Sequence, residues 1–259
     1  MEVIFLGTGT SEGVPIIAQP PEIQLDLGNP KNWRTRTSVH VIMDGCHVQV
    51  DAAPEFRLQC INNDIRQIDH FILTHEHADH IQGMDDLRRF CRLKGGVAIP
   101  VYSTEAGLDR VRAIYPYAVR QKARGNYPAF SLISMPSILE VEGGIIYSVL
   151  LPHGKFQVLG LVFEERSTGK RFAYYTDCKE VTNEARELAL YADLLGLDAL
   201  RYKPHSSHLS LPEAIQASKH ISAKQTYFVH MACQLDYENV KLGLPDGMYL
   251  AFDGLRLRV

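Results

Sequence analysis

The sequence predicts an α/β protein in which two mixed β-sheets pack face to face with helices outside. Three observations carry this. The first half of the chain offers strands and then helices, and the second half repeats that order. No linker divides the two halves. A length of 259 residues, 46% of them hydrophobic, suffices to bury a large core without disulfide or metal staples. The whole chain, residues 1–259, is therefore read as one domain.

The elements follow from local pattern. Glu2 to Leu6 reads as a strand entering a loop, Gly7-Thr8-Gly9-Thr10-Ser11-Glu12-Gly13. Its third glycine falls one place late for a dinucleotide fingerprint, so a tight loop needing glycine dihedrals is the simpler reading. Residues 18–36, rich in Pro, Asn, Gln and Gly, read as an extended loop. Thr37–Met43 and Cys46–Val50 flank Asp44-Gly45 and predict a hairpin with a two-residue turn. A short helix is expected over 54–61 and a buried strand over 69–74. Helices are expected over 85–93 and, behind a Thr104 cap, over 104–114, with a strand at 99–102 between them. Residues 116–130 read as a loop or lid. Strands are expected near 131–135, 144–151, 158–165, 171–176, 194–199, 225–229 and 248–252, and helices near 180–191 and 211–221.

Composition excludes several classes. The formal net charge is -3, so the chain lacks the basic excess of a typical nucleic-acid-binding domain. Five cysteines, none in a C-x-x-C pair, read as reduced thiols of a cytoplasmic protein. The N-terminus lacks the basic start and apolar run of a signal peptide. No apolar stretch approaches the roughly 20 residues of a membrane span.

The chemistry is concentrated at Thr74-His75-Glu76-His77-Ala78-Asp79-His80, where an apolar strand stops and four ligand-type residues follow within six positions. His75 and His77, two apart, can face one point in an extended or turning backbone, and Asp79 and His80 can serve a second. Imidazole with carboxylate suits zinc, manganese or iron. A histidine-rich surface turn is the competing reading, and the density of ligand types disfavours it. His153, Asp177 and His230 each end an apolar strand. A purely structural role would suit any one of them as well; the recurrence of one layout three times favours ligation.

These residues resemble the metallo-β-lactamase superfamily, in the order His75-x-His77-x-Asp79-His80, His153, Asp177, His230, with the Gly7-Thr8-Gly9 loop and Asp51 also matching. The resemblance spans nearly the whole chain. It implies an αββα sandwich with a dinuclear centre between the sheets. His75, His77 and His153 would hold one metal, Asp79, His80 and His230 the other, and Asp177 would bridge. Asp51 would orient a metal-bound histidine through a hydrogen bond. The lactam-cleaving branch usually carries Cys where Asp177 stands, and flavodiiron proteins an acid where His77 stands, so neither activity is implied.

A nearer resemblance is to the PhnP-like phosphodiesterases. It rests on Gly13-Val14-Pro15, Arg34-Thr35-Arg36-Thr37-Ser38, Asp198-Ala199-Leu200-Arg201, His205-x-x-His208-Leu209-Ser210 and Phe252-Asp253-Gly254. It implies hydrolysis of small cyclic or linear phosphodiesters. Water activated by the metal pair would attack phosphorus, Asp79 would serve as ligand and as partner of that water, and His208 would protonate the leaving group. His205 is a weaker candidate for substrate binding. Those relatives carry a cysteine-rich zinc loop after Gly-Val-Pro, and the equivalent residues 16–24 contain no cysteine. Cys233 alone cannot close such a site, so no structural zinc is expected, and packing or proline is expected to hold the loop. The remaining readings are a tRNA 3′-processing nuclease, a thioester hydrolase of the same fold, and a non-catalytic metal-binding scaffold. Arg120, Lys122 and Arg124 make a short basic arm for a tRNA nuclease. The partner expected is a small phosphodiester rather than nucleic acid or membrane. A homodimer is compatible with the fold, and nothing in the sequence requires one.

Overall fold

A computed structural model describes residues 1–123 and 125–259; Arg124 lies outside them. In chain order the elements are β1 (Glu2–Gly7), β2 (Ser38–Met43), β3 (Cys46–Val50), α1 (Phe56–Asn62), β4 (His70–Ile72), α2 (Ala78–Ile81), α3 (Arg88–Leu93), β5 (Ile99–Ser103), α4 (Glu105–Ile114), β6 (Phe130–Ser134) and β7 (Ile138–Val141). There follow β8 (Gly144–His153), β9 (Phe156–Glu165), β10 (Arg171–Tyr175), α5 (Asn183–Ala189), β11 (Leu194–Asp198), α6 (Leu211–Ile221), β12 (Gln225–Val229), α7 (Tyr237–Lys241), β13 (Met248–Leu250) and β14 (Leu255–Arg258). Among the described residues no helix is long and apolar enough to cross a membrane.

Two seven-stranded sheets form, in the orders β14-β1-β2-β3-β4-β5-β6 and β13-β12-β11-β10-β9-β8-β7. Each is antiparallel on one side and parallel on the other. The parallel pairs run β3–β4–β5–β6 in the first sheet and β10–β11–β12–β13 in the second. Alternation along each strand sorts side chains into three packed layers. Phe5, Val41, Val48 and Ile72 of the first sheet meet Leu161, Phe163, Phe172 and Tyr174 of the second. Phe71, Leu73 and Val101 face outward onto Phe56, Phe90 and Val111 of α1, α3 and α4. Ala173, Tyr175, Leu195 and Leu197 face outward onto Ala185 and Ala214 of α5 and α6. This is the expected αββα sandwich.

Several local features have simple causes. Asp44 and Gly45 both take positive φ, 45° and 83°, which a tight two-residue hairpin turn demands. Thr104 accepts from the Gly107 amide and caps α4, and Ser210 with Glu213 forms a capping box on α6. The short strands β7 and β14 and the helix α7 escape the pattern reading. Each is four or five residues long, and the strands lie at sheet edges, where one flank needs no apolar complement. Within 116–123 and 125–130, backbone bonds tie particular residues to the body of the protein. Ala123 N–H donates to Gly96 O at 2.9 Å and Phe130 N–H to Ala118 O at 2.8 Å.

The Gly7–Gly13 loop needs glycine for two different reasons. Only Gly13 has left-handed φ, 70°. Gly7 and Gly9 are required by crowding, since a Cβ there would lie 2.0 Å from Arg36 O and 2.7 Å from Arg34 O. Residues 26–34, just beyond the cysteine-free 16–24 stretch, are held by a buried polar network. Arg34, 1% exposed, donates to Leu235 O at 2.6 Å and to Asn32 Oδ1 at 3.1 Å. Asn32 Nδ2 donates to Asp236 Oδ2 at 2.7 Å and to Asp26 O at 2.9 Å, and its Oδ1 accepts from the Tyr237 amide at 2.8 Å.

Candidate metal centre

Parallel strands place their carboxyl ends on one edge of a sheet, where loops can carry polar groups without breaking the ladder. Asp51 follows β3, residues 73–80 follow β4, Asp177 follows β10, Asp198 ends β11 and His230 follows β12. His153 ends β8 beside them. Asp51, Asp177 and His230 all adopt left-handed backbone, with φ of 59°, 54° and 58°. Such a conformation costs a non-glycine residue about 1–3 kcal/mol and persists where the surroundings over-determine it. Its recurrence at three strand ends turns each side chain sharply out of its strand into the same space.

The seven predicted ligands converge as two groups. His75, His77, His153 and Asp177 offer ligand atoms all within 4.8 Å of one another, and so do Asp79, His80, Asp177 and His230. Asp177 belongs to both. Its Oδ2 lies 3.1 Å from His80 Nε2, 3.3 Å from His230 Nε2 and 3.7 Å from His75 Nε2. Asp79 Oδ2 is 3.3 Å from His80 Nε2, and His77 Nδ1 is 3.3 Å from His153 Nε2.

The ring orientations are fixed from behind. Asp51 accepts from the Thr74 amide at 2.8 Å and the Thr74 hydroxyl at 2.8 Å, and pairs with His80 Nδ1 at 2.7 Å. Thr74 Oγ1 also meets His75 Nδ1 at 3.0 Å, and the Ser207 carbonyl accepts from His153 Nδ1 at 2.9 Å. Each of these rings therefore turns Nε2 toward the shared space.

A cation fits this arrangement on three counts. His75 Nε2 and both ring nitrogens of His230 are buried without a hydrogen-bond partner, a cost of about 1–3 kcal/mol each unless something else binds them. Asp51, Asp79, Asp177 and Asp198 are all buried, and their ion-pair partners are imidazoles only, with no Lys or Arg among the described pairs. Buried carboxylates need compensating positive charge. Finally, burial holds His75 well below the usual histidine range and His153 down to about 4, so both present neutral lone pairs. Burial also opposes protonation of His80, but Asp177, Asp79 and Asp51 outweigh it and push that ring well up. A proton there occupies ground suited to a metal.

His208 lies beside this space, not in it. Its ring stacks on His230, centroids 4.6 Å apart, and meets His153 at 4.7 Å. Its Nδ1 pairs with Asp198 Oδ2 at 2.8 Å, and the same oxygen accepts from the Cys178 amide at 2.9 Å. Nε2 is the edge left to face a ligand. His205 is farther out and half-buried, its Nδ1 near the Ser207 hydroxyl at 3.2 Å. Sequence reasoning quoted Asp198 within a motif and gave it no role, and it missed Thr74. A lone acid at the end of an apolar strand and a threonine before a histidine carry little signal by themselves. Cys178 is buried with its thiol toward Tyr175 O.

Fold and comparison agree on the class. Residues 47–231 match the Beta-lactamase superfamily domain, so the chain belongs to that family, a family of metallo-β-lactamase-fold hydrolases that implies divalent metal ions. Among particular relatives, the chain is similar to the crystal structure of a new diphosphatase from the PhnP family. That match has a TM-score of 0.89 and 32% identity, over 100% of this chain and 97% of the other. Zinc-bound PqqB from Methylobacterium extorquens matches with a TM-score of 0.81 at 21% identity, each chain wholly covered. The short form of human tRNase Z matches at 0.74 and 18%, over 100% of this chain and 99% of that one. These last two share the fold. An octanoyltransferase of Porphyromonas gingivalis is 30% identical over 98% of this chain, which spans about half, 51%, of that relative's length.

Proposed function

We propose that the chain is a metal-dependent phosphoric ester hydrolase acting on small phosphodiesters, cyclic or linear, including nucleotide-like ones. The single observation that carries this reading is the His208–Asp198 pair standing directly against two ligand groups that share Asp177. The likeness to a PhnP-family diphosphatase at 32% identity supports phosphoryl chemistry.

His75, His77, His153 and Asp177 would hold one divalent ion, and Asp79, His80, His230 and Asp177 the other, manganese, zinc or iron by donor type. When bound, the pair supplies Lewis acidity and a water of lowered pKa. The protein's own groups do the rest. Asp51 keeps His80 oriented, and Thr74 links Asp51 to His75. Asp79 would accept a hydrogen bond from the attacking water. His208 Nε2 gives its proton to the departing oxygen while Asp198 retains Nδ1. Burial lowers His208 from the usual histidine value, partly offset by Asp177 and Asp79. Burial pushes the Asp198 carboxyl well up, so its part here is positional: by holding Nδ1 it aims Nε2 at the departing oxygen.

The test is a substrate panel on metal-replete protein, with elemental analysis. It contains bis-p-nitrophenyl phosphate, cyclic nucleotides, nucleoside diphosphate esters, a tRNA precursor and an octanoyl thioester. His208→Ala should leave metal content intact and slow diesters with poor leaving groups by roughly 10²–10⁴, with much less effect on activated aryl diesters. Equal loss on both classes removes His208 from the acid role. The name of the Porphyromonas gingivalis relative favours a second reading, thioester hydrolysis, and preference for the octanoyl thioester over every phosphodiester would establish it instead.

A further inference from the structure

We propose that Cys46, His70 and Glu142 form a separate mononuclear zinc site that clamps the two sheets together at the end opposite the catalytic loops. Cys46 opens β3 and His70 opens β4, whereas Asp51 and residues 75–80 of the candidate metal centre follow the far ends of those strands. Glu142 sits in the turn between β7 and β8 and so belongs to the other sheet. A metal there would bridge sheet to sheet.

The distances suit tetrahedral zinc. Metal–ligand lengths of about 2.3 Å to sulfur and about 2.0 Å to nitrogen or oxygen imply tetrahedral edges of roughly 3.3 Å for N···O and roughly 3.5 Å for S···O. Here His70 Nε2 lies 3.3 Å from Glu142 Oε2, and Cys46 Sγ lies 3.9 Å from the same oxygen. One ligand atom from each of the three falls within 4.8 Å of the others. Nε2 is the His70 nitrogen turned toward the cluster, since it is the one that meets Glu142. The Glu142 side chain is 82% exposed and can adjust by the few tenths of an ångström required. Its backbone is well placed: the turn packs so closely on the β2–β3 hairpin that a Cβ on Gly143 would lie 1.9 Å from Met43 O.

Softness selects the metal. One thiolate, one imidazole and one carboxylate suit zinc and disfavour magnesium or calcium. On binding, the Cys46 thiol releases its proton to solvent, and the Zn–S bond replaces S–H. A solvent molecule completes the fourth position in the adjoining pocket. Asp69 is not free to do so, since its oxygens accept from the His47 amide, Gln67 and Lys94. The sequence reading sought structural zinc only in the loop after Gly13-Val14-Pro15. These three ligands, separated by 24 and 72 positions, leave no motif.

Cobalt substitution tests this independently of the proposed catalysis, because the catalytic groups contain only nitrogen and oxygen donors. Full-length protein stripped of metal and titrated with Co²⁺ should develop a thiolate-to-cobalt charge-transfer band. Cys46→Ser should abolish that band while keeping hydrolytic activity and the other cobalt absorption. Glu142→Gln, at an exposed side chain that leaves folding undisturbed, should weaken zinc binding at this site by roughly tenfold or more, and zinc should raise the Tm of wild type more than of either variant. Absence of the band at saturating cobalt, its survival in Cys46→Ser, or unchanged affinity in Glu142→Gln would each overturn the proposal.

Discussion

Replacing Asp198 by asparagine removes an ionisable carboxyl from a wholly buried position while keeping its shape; burial pushes that carboxyl's pKa well up, against the pull of His230 and the Cys178 amide. In the native protein Oδ2 accepts from His208 Nδ1 at 2.8 Å and from the Cys178 amide at 2.9 Å, and Oδ1 has no hydrogen-bond partner. The asparagine amide can turn its oxygen toward those two donors and its NH₂ toward the vacant side, 3.9 Å from His230 Nδ1. Geometry is thus retained and only the ionisable group is lost. With His208 protonated, its bond to asparagine still has an ionised donor, so the loss is a difference within the range of charged hydrogen bonds, about 1 kcal/mol. At tenfold per 1.4 kcal/mol that is roughly 5-fold in any step that needs this proton. The assay is kcat for diesters of graded leaving-group pKa, with metal content measured alongside. The expected result is a loss that deepens as the leaving group worsens, with metal retained. Equal slowing across the series, or wild-type rates throughout, would refute the argument that Asp198 acts through His208.

Asp177→Ala removes the one residue common to both ligand groups and should empty both positions; elemental analysis finding two metals still bound would break the ligand assignment. His40 is fully buried, and burial lowers it to about 3, with Nδ1 on Gln49 and Nε2 on His47. Between the ordinary histidine value and pH 3 the unfolded chain binds a proton that the folded chain refuses, so stability falls as pH falls, by about 1.4 kcal/mol per unit for this group. His40→Gln should flatten the acid limb of unfolding free energy against pH by about that slope, and an unchanged slope would contradict the burial argument. Asn32→Ala deletes bonds to Asp26, Asp236, Tyr237 and Arg34 and should cost roughly 2–4 kcal/mol in urea unfolding. A loss below 0.5 kcal/mol would show that the loop does not depend on this network.

Local chemistry determined much of this protein. Thr74 to His80 announces ligands because donor type and spacing are both local, and the β2–β3 hairpin is legible because Asp44-Gly45 alone satisfies its turn. The strand-end positions of His153, Asp177 and His230 are likewise written in apolar runs followed by one polar residue. What only the tertiary structure decided is which atoms share a space. Asp177 lies between both ligand groups because β10 is paired in parallel with β11 and brought against β4 by the opposing sheet, a matter of register and layer that no single segment encodes. The same holds for Asp198 on His208 and for Cys46, His70 and Glu142. Their meaning depends on distances of a few ångströms between residues many positions apart, and burial by remote neighbours sets their charge states.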